Sequence, residues 1–345
     1  MEFKISGRNI GANHLPILIA EIGINHGGSL KVAKEMVLSA KKAGCEIIKH
    51  QTHVVEDEMS FDAKLIKPGN SDQSIFSIME ECSLSKKEEF ELMKFTEDQG
   101  LIFISSPFSR EALHRLIDFG VPAIKIGSGE CNNYPLLKEV ANYGKPVILS
   151  TGMHGIETIK KASKIFEEKN VPLALLHTTN LYPTPDKLVR LGALNEINSN
   201  FPDNVFGLSD HTLTNHACFG AVALGASILE RHYTDSRVTR SGPDIICSMD
   251  ENDCKELLAG IEILFQQRGG SKSILKEEQV TRDFAFATVC STKKINKGET
   301  FNNENLWVRR PGVGDFAAEE YETLFGKKAA KNISKNKTLK QSDVQ

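Results

Sequence analysis

The sequence predicts a (β/α)8 TIM barrel followed by a small, mostly β domain. Three observations predict it: eight short apolar runs, amphipathic stretches of helical period between them, and a change of pattern near residue 268. The chain has 345 residues. A barrel needs roughly 250, which leaves room for an appendage.

In order, the apolar runs are ILIAEIG (17–23), EIIKHQT (46–52), LIFISSP (101–107), PAIKIGS (122–128), PVILST (146–151), LALLHTT (173–179), VFGLSDH (205–211) and ILERHYT (228–234). Each has strand length and is rich in Ile, Val or Leu. Stretches of helical period separate them, among them 30–43, 86–99, 110–119, 155–169 and 250–266. Such alternation calls for a parallel sheet with right-handed crossovers. Six units would suit an open sheet; eight close into a barrel.

The segment 53–85 follows the second run and contains Lys67-Pro68-Gly69-Asn70. Insertions after barrel strands tend to cover an active site, so it is read as a lid or wall. The barrel domain is set at 1–268 and a polar linker at 269–283, opening on Gly269-Gly270-Ser271-Lys272. The small domain is set at 284–345. Within it KINKGETFNNENL (294–306) echoes NISKNKTLKQSDV (332–344), which predicts a mostly β unit with a pseudo-twofold axis. Trp307 and the run Arg309-Arg310-Pro311-Gly312-Val313-Gly314 lie between the two copies.

Composition excludes several function classes. A hydrophobic fraction of 40%, a charged fraction of 25% and a net charge of −3 describe a globular domain without the basic excess of a nucleic-acid binder. No stretch approaches the roughly 18 apolar residues of a membrane span, and the first residues hold no signal-peptide core. The seven cysteines contain no CxxC, which argues against a disulfide framework or thiolate zinc site and for a cytoplasmic setting. Cys131 stands beside Glu130, but no base lies at a recognisable spacing to make it a nucleophile.

Strand parity locates the chemistry. Alternate residues of a strand face opposite sides, and barrel strands open onto the site at their carboxyl ends. Lys49 and Gln51 share a face while His50 points away. Ser209 and His211 likewise oppose Asp210, and Glu230 and His232 oppose Arg231. Glu21, Lys125, Ser128, Ser150 and Asn180 join the inward set from the other strand ends. Burying one ionisable group can be a satisfied core position; burying several together without a ligand costs several kcal/mol each. Together they predict an active site. His211 and His232, at the ends of adjacent strands, form a candidate divalent-metal pair, although spacing alone does not separate ligand from catalytic or structural histidine. Lys49, Lys125, Ser106, Ser128, Ser150 and Asn180 have the composition of a phosphate and carboxylate pocket, and KIGSGE (125–130) lets backbone amides approach an anion.

Long strings then become recognisable. AEIGINHGGS, IIKHQTHVVEDEMS, FISSPFS, KIGSGECNNYPL, ILSTGM, TTNLYPTP, GLSDHT, LERHYTD and GPDIICSMD resemble the bacterial sialic acid synthases, which condense phosphoenolpyruvate with N-acetylmannosamine. The C-terminal stretch with RRPGVG resembles their antifreeze-like (SAF) domain, which implies a β-clip fold for it. The resemblance spans nearly the whole chain and implies a transferase that forms N-acetylneuraminate and phosphate with C–O cleavage, aided by a divalent metal, usually Mn²⁺. It implies a domain-swapped homodimer in which the small domain of one chain caps the barrel of the other. By position it makes His211 and His232 the metal ligands, and it places Lys49, Gln51, Ser106, Lys125, Ser128, Ser150, Asn180 and Ser209 around phosphoenolpyruvate. Glu21, Tyr182, Asp244 and Glu230 face the sugar, together with Arg310 from the partner chain; either Glu21 or Glu230 handles protons. Ser106 and Tyr233 stand where the family pattern has Thr and Phe, and 235–240 is one residue longer than that pattern.

Three alternatives remain at this level. A legionaminic or pseudaminic acid synthase would share the phosphoenolpyruvate half-site with a deoxy diacetamido sugar as acceptor. A Schiff-base aldolase would use Lys125 or Lys49 without metal. A non-catalytic sugar- or ice-binding protein would leave the loaded strand ends without a purpose.

Overall fold

The computed structural model describes residues 2–68 and 72–345. Gly69 and Asn70 of the expected lid therefore lie outside the described residues. The chain divides into two compact units, Met1–Gly269 and Gly270–Gln345.

In the first unit, β3 (Ile17–Gly23), β4 (Ile47–Thr52), β5 (Ile102–Pro107), β6 (Ile124–Ile126), β7 (Val147–Ser150), β8 (Leu173–Thr178), β9 (Val205–Asp210) and β10 (Ile228–His232) close a barrel. Every neighbouring pair is parallel, and β10 returns to β3. All eight apolar runs are strands. The main crossover helices are α1 (Leu30–Ala43), α4 (Lys86–Asp98), α5 (Arg110–Phe119), α6 (Tyr134–Tyr143), α7 (Ile156–Glu167), α8 (Gly192–Asn200), α9 (His216–Ala223) and α10 (Glu251–Gln267). Their ends follow the local chemistry. Ser29, Ser85, Ser109 and Asp250 accept backbone N–H groups as N-caps, and Gly44, Gly120 and Gly144 end helices in the left-handed region.

Two apolar layers result. Outward-facing strand residues such as Leu18, Ile48, Phe103 and Leu229 pack on the helices, while Ile17, Ile19, Ile47, Ile104, Ile148 and Leu176 fill the barrel. An antiparallel hairpin not anticipated from sequence, β1 (Glu2–Ile5) with β2 (Arg8–Gly11), adds Phe3, Ile5 and Ile10 to that inner cluster. It stoppers the amino end of the barrel, so the opposite end is the open one. There the described residues of the segment 53–85 include the short helices α2 (Val55–Glu58) and α3 (Ile75–Cys82) and a 3-10 turn at Phe61–Lys64.

The second unit begins within the stretch read as a linker, which is not featureless: α11 (Gln279–Ala285) forms there. Beyond it β11 (Thr288–Ser291) pairs antiparallel with β12 (Leu306–Arg309). The echo in the sequence is an echo in space. Ile295 and Ile333, equivalent positions of the two copies, exchange reciprocal backbone hydrogen bonds of 2.9 and 2.8 Å. The bridge Cys290–Thr338 has its counterpart in Thr300–Lys328, and Ser291–Leu306 in Ala329–Val344. Gly298 and Asn336 occupy matching turn positions at φ +84° and +59°, and Phe301 and Leu339 are both buried.

Candidate active site

Parity decides which side chains meet. One cavity of about 140 Å³ at the carboxyl ends of the strands is lined by Glu21, Lys49, Gln51, Ser106, Lys125, Ser128, Ser150, Asn180, Tyr182, Ser209, His211, Glu230 and His232. Every barrel residue proposed from the sequence is thus brought together except Asp244, which stands just behind: its Oδ2 lies 3.8 Å from His232 Nδ1. Arg310 belongs to the second unit, where it is exposed. Gly127 and Gly129 of the KIGSGE turn also line the cavity, as do Phe108 and Thr178, which were not singled out. Thr178 was legible, since it shares the inward face of its strand with Asn180. A larger groove of about 680 Å³, lined by Lys160, Lys164, Phe201 and Asp203, lies at the amino ends of β8 and β9 and gathers no buried ionisable group.

The floor of the cavity is a buried quartet of two lysines and two glutamates. Lys49 pairs with Glu21 and stands 3.7 Å from Glu230; Lys125 stands 3.4 Å from the same Glu230 oxygen. Gln51 donates to Glu21 Oε1 at 3.0 Å, Lys49 to Ser106 Oγ at 3.3 Å and Lys125 to Ser150 Oγ at 2.8 Å. Ser209 donates to Glu230 Oε1 at 3.3 Å. When fully ionised, the two lysines and two glutamates balance in charge, which is what permits the quartet's burial.

Their acidities diverge. Burial raises Glu21 to about 7, with Glu230 adding repulsion against the pull of Lys49. Burial also opposes ionisation of Glu230, but Lys125 and Lys49 outweigh it and hold this carboxyl below the usual range. Burial disfavours charge on Lys49 as well, yet Glu21 and Glu230 keep it raised, whereas Lys125 is lowered by its own burial. Glu21 is thus poised near neutrality while Glu230 stays anionic.

Beside the cavity, Gly23 and Gly152 stand where a side chain would collide with the site. At Gly23, φ is +46° where the β3–β4 register shifts, and a Cβ would sit 2.6 Å from Glu21 Oε1. At Gly152 a Cβ would fall 1.8 Å from Asn180 Oδ1 and 2.9 Å from Ser128 Oγ. Close approach of the backbone here is what lets the Gly152 amide donate to Ser128 Oγ at 3.1 Å.

The two histidines adjoin each other at the cavity. Their ring centroids are 5.4 Å apart, and the Tyr182 ring lies tilted, 4.1 Å from that of His211. His211 Nδ1 lies 2.9 Å from the Thr179 carbonyl, so this nitrogen carries the proton and Nε2 keeps its lone pair. His232 Nδ1 is buried without a hydrogen-bond partner. Burial, reinforced by His232 for the first and Lys49 for the second, lowers His211 to about 4 and His232 to about 3. Both are therefore neutral and able to donate to a metal. Among the described residues no cluster of three or more His, Cys, Asp or Glu forms a protein-only cage. These two imidazoles suit an ion that completes its coordination with water or substrate. Asn180 Oδ1 and Glu230 Oε2 are likewise buried without a hydrogen-bond partner.

Cys131 is no nucleophile: burial pushes its thiol to about 12. All seven cysteines are free thiols. Among the described residues no helix is long and apolar enough to cross a membrane.

A closed barrel with ionisable groups converging at the carboxyl ends of its strands defines an enzyme, not a structural or ice-binding module. The chain belongs to the NeuB family, whose model matches residues 36–273, and a SAF domain follows at 288–345. It is 33% identical to an N,N'-diacetyllegionaminic acid synthase of Campylobacter jejuni, over 94% of this chain and 99% of that protein. It is 31% identical to the human N-acetylneuraminate-9-phosphate synthase, over 98% and 95%. Its fold superposes on the sialic acid synthetase of Leptospira borgpetersenii, crystallised with citrate, with a TM-score of 0.75 at 29% identity, covering 81% of this chain and 95% of that one.

Proposed function

We propose that this chain condenses phosphoenolpyruvate with N-acetylmannosamine and water, giving N-acetylneuraminate and phosphate. The observation that carries the reading is the neutral Lys49–Lys125–Glu21–Glu230 quartet beside two neutral histidines in one cavity. Lys125, with Ser150 and Ser128 beside it, receives the phosphate and carboxylate of phosphoenolpyruvate; Lys49 and Ser106 complete the anion cradle. Glu230, shared between both lysines, keeps them apart and charged until the anion arrives. C3 of phosphoenolpyruvate forms the new bond to the acceptor's aldehyde carbon, whose oxygen takes a proton, and leaves C2 cationic; Glu21, bound to one lysine only, steers the water that adds at C2 and takes up its proton. Collapse of the tetrahedral intermediate breaks the C–O bond and releases phosphate.

His211 and His232 would hold a divalent ion, Mn²⁺ by preference, whose chemistry is to polarise the acceptor's aldehyde oxygen. Tyr182 and Asp244, around the histidines, orient the sugar. Arg310 is assigned to the sugar's N-acetyl group in the barrel of a second chain, within a domain-swapped homodimer. The exposed apolar side chains of the small unit, among them Val280, Phe284, Phe286, Trp307 and Val313, support an assembly that covers them.

An acceptor panel with phosphate release as readout tests the reading. N-acetylmannosamine, its 6-phosphate and its 6-deoxy-4-acetamido analogue are compared with and without Mn²⁺ and after chelation. Phosphate released fastest with unphosphorylated N-acetylmannosamine, and abolished by chelation, supports it. Preference for the deoxy diacetamido sugar would make the chain a legionaminic- or pseudaminic-type synthase. Full activity after chelation, with a borohydride-trapped lysine adduct, would replace the scheme by Schiff-base chemistry.

A further inference from the structure

Behind the two histidines, on the helix side of the sheet, lies a polar cluster that touches neither the cavity nor solvent. Arg231 and Asp210 are register partners on β10 and β9, one residue before His232 and His211 respectively. Both are fully buried, and Arg231 Nε stands 3.5 Å from Asp210 Oδ2. The guanidinium donates from Nη2 to the Thr212 carbonyl at 2.7 Å and from Nη1 to Asn215 Oδ1 at 2.6 Å. Asp210 in turn accepts the Thr212 backbone N–H at 3.0 Å and its hydroxyl at 2.9 Å. Asn215 is tied outward to α10, donating to the Asp253 carbonyl at 2.9 Å and to Glu256 at 2.7 Å.

The guanidinium and the carboxylate both bond into the turn that follows His211, through Thr212 and Asn215. Arg231 joins the end of β10 to the turn that leaves β9, and Asp210 folds that turn back on itself. The two imidazoles have few restraints of their own: one hydrogen bond on His211, and none on His232 Nδ1. Their separation is therefore set from behind, by a planar guanidinium whose fork reaches two acceptors at once. Burying an arginine–aspartate pair contributes little to stability compared with well-packed apolar side chains, so its presence at this place calls for a role in geometry.

We propose that Arg231 and Asp210 are positioning residues that set the spacing of His211 and His232, and with it the affinity for a divalent cation. The proposal rests on the metal reading of the two histidines. It predicts that the cluster controls cation binding without touching either substrate.

The test is Mn²⁺ binding by titration calorimetry on the full-length protein, with His211→Ala as control. Arg231→Met keeps the length of the side chain and removes the fork; Arg231→Lys keeps the charge; Asp210→Asn keeps the shape and removes the counter-charge. The expected result is Mn²⁺ affinity lowered about 10- to 100-fold in Arg231→Met, the range seen when groups behind metal ligands are removed. Arg231→Lys and Asp210→Asn are expected to lose less. At saturating Mn²⁺ the KM for phosphoenolpyruvate is expected to stay within about threefold of wild type, a split that general loosening of the barrel would not give. If Arg231→Met does not fold, the other two variants decide. Folded variants that bind Mn²⁺ as tightly as wild type would overturn the proposal. Wild type failing to bind Mn²⁺, or binding it equally after His211→Ala, would instead sink the metal reading on which it stands.

Discussion

Lys125 Nζ lies 3.4 Å from the Glu230 carboxylate, joining β6 to β10 across the interior of the barrel. Both groups are buried in the floor of the cavity, so each supports the other's charge. Lys125→Met removes one cation from the neutral quartet and leaves an excess carboxylate facing an anionic substrate. The KM for phosphoenolpyruvate should rise by more than about 100-fold while the acceptor KM changes little. Steady-state phosphate release against each substrate measures both; equal losses in the two would remove Lys125 from the anion cradle.

The glycine at 152 offers a gentler probe. In Gly152→Ala the new methyl must displace Asn180 Oδ1 or Ser128 Oγ, both of which face the cavity. We expect kcat/KM for phosphoenolpyruvate to fall at least about tenfold, a loss of roughly 1.4 kcal/mol in transition-state binding. The melting temperature should move by only a few degrees, because both displaced side chains lie at the cavity edge. Unchanged kinetics would mean that neither side chain is held where the substrate needs it.

Acid stability should depend on a chain of buried polar groups outside the cavity. The Gly28 amide donates to His26 Nδ1, His26 Nε2 meets His50 Nε2 at 3.1 Å, and His50 Nδ1 meets Glu89 Oε1 at 3.3 Å. Burial, helped by His50, lowers His26 to about 3, below its ordinary 6.5. Unfolded chains therefore bind a proton that the folded protein refuses. The stabilisation is complete above about pH 6.5 and is lost as pH falls toward 3. Between pH 7 and 5 this one residue should cost about 2 kcal/mol of unfolding free energy. Glu89 adds to the loss at lower pH, since burial opposes its charge but its bonds from His50, Thr52 and Arg115 hold it below the usual carboxyl range. Urea titrations of wild type and His26→Asn at the two pH values check this; parallel pH dependences would refute it.

For Arg310 the expected outcome is complementation. Arg310→Ala should raise the acceptor KM far more than the phosphoenolpyruvate KM. Verified heterodimers of Arg310→Ala with His211→Ala should regain part of the activity, because one intact site can form from an unaltered barrel and an unaltered small domain. Inactive heterodimers would refute the swapped arrangement.

Much of the site was legible because a strand has a period of two. Once eight strands were recognised, Lys49, Ser209 and Glu230 had to face one way and His50, Asp210 and Arg231 the other, and the structure places them so. What remained hidden was what the outward residues do there. The partners of His50 are His26 and Glu89, and those of Arg231 are Thr212 and Asn215, all supplied by loops or helices whose approach no local pattern reveals. The hairpin at Glu2–Gly11 was missed for a related reason: two four-residue strands carry too few apolar positions to signal a buried face. Residues 279–283 of helix Gln279–Ala285 were read as linker because apolar side chains are few there and Val280 is exposed.

The paired bridges of the small domain make it an internal dimer. Each half lends the other its strand partners, and Ile295 and Ile333 meet at the axis, so neither half owns a complete core. The domain must then fold in one step. A chain cut near Gly326, between the copies, should yield two fragments that stay unfolded apart and assemble when mixed. One ancestral peptide, pairing with a second copy of itself and later fused to it, would be sufficient to found such a domain.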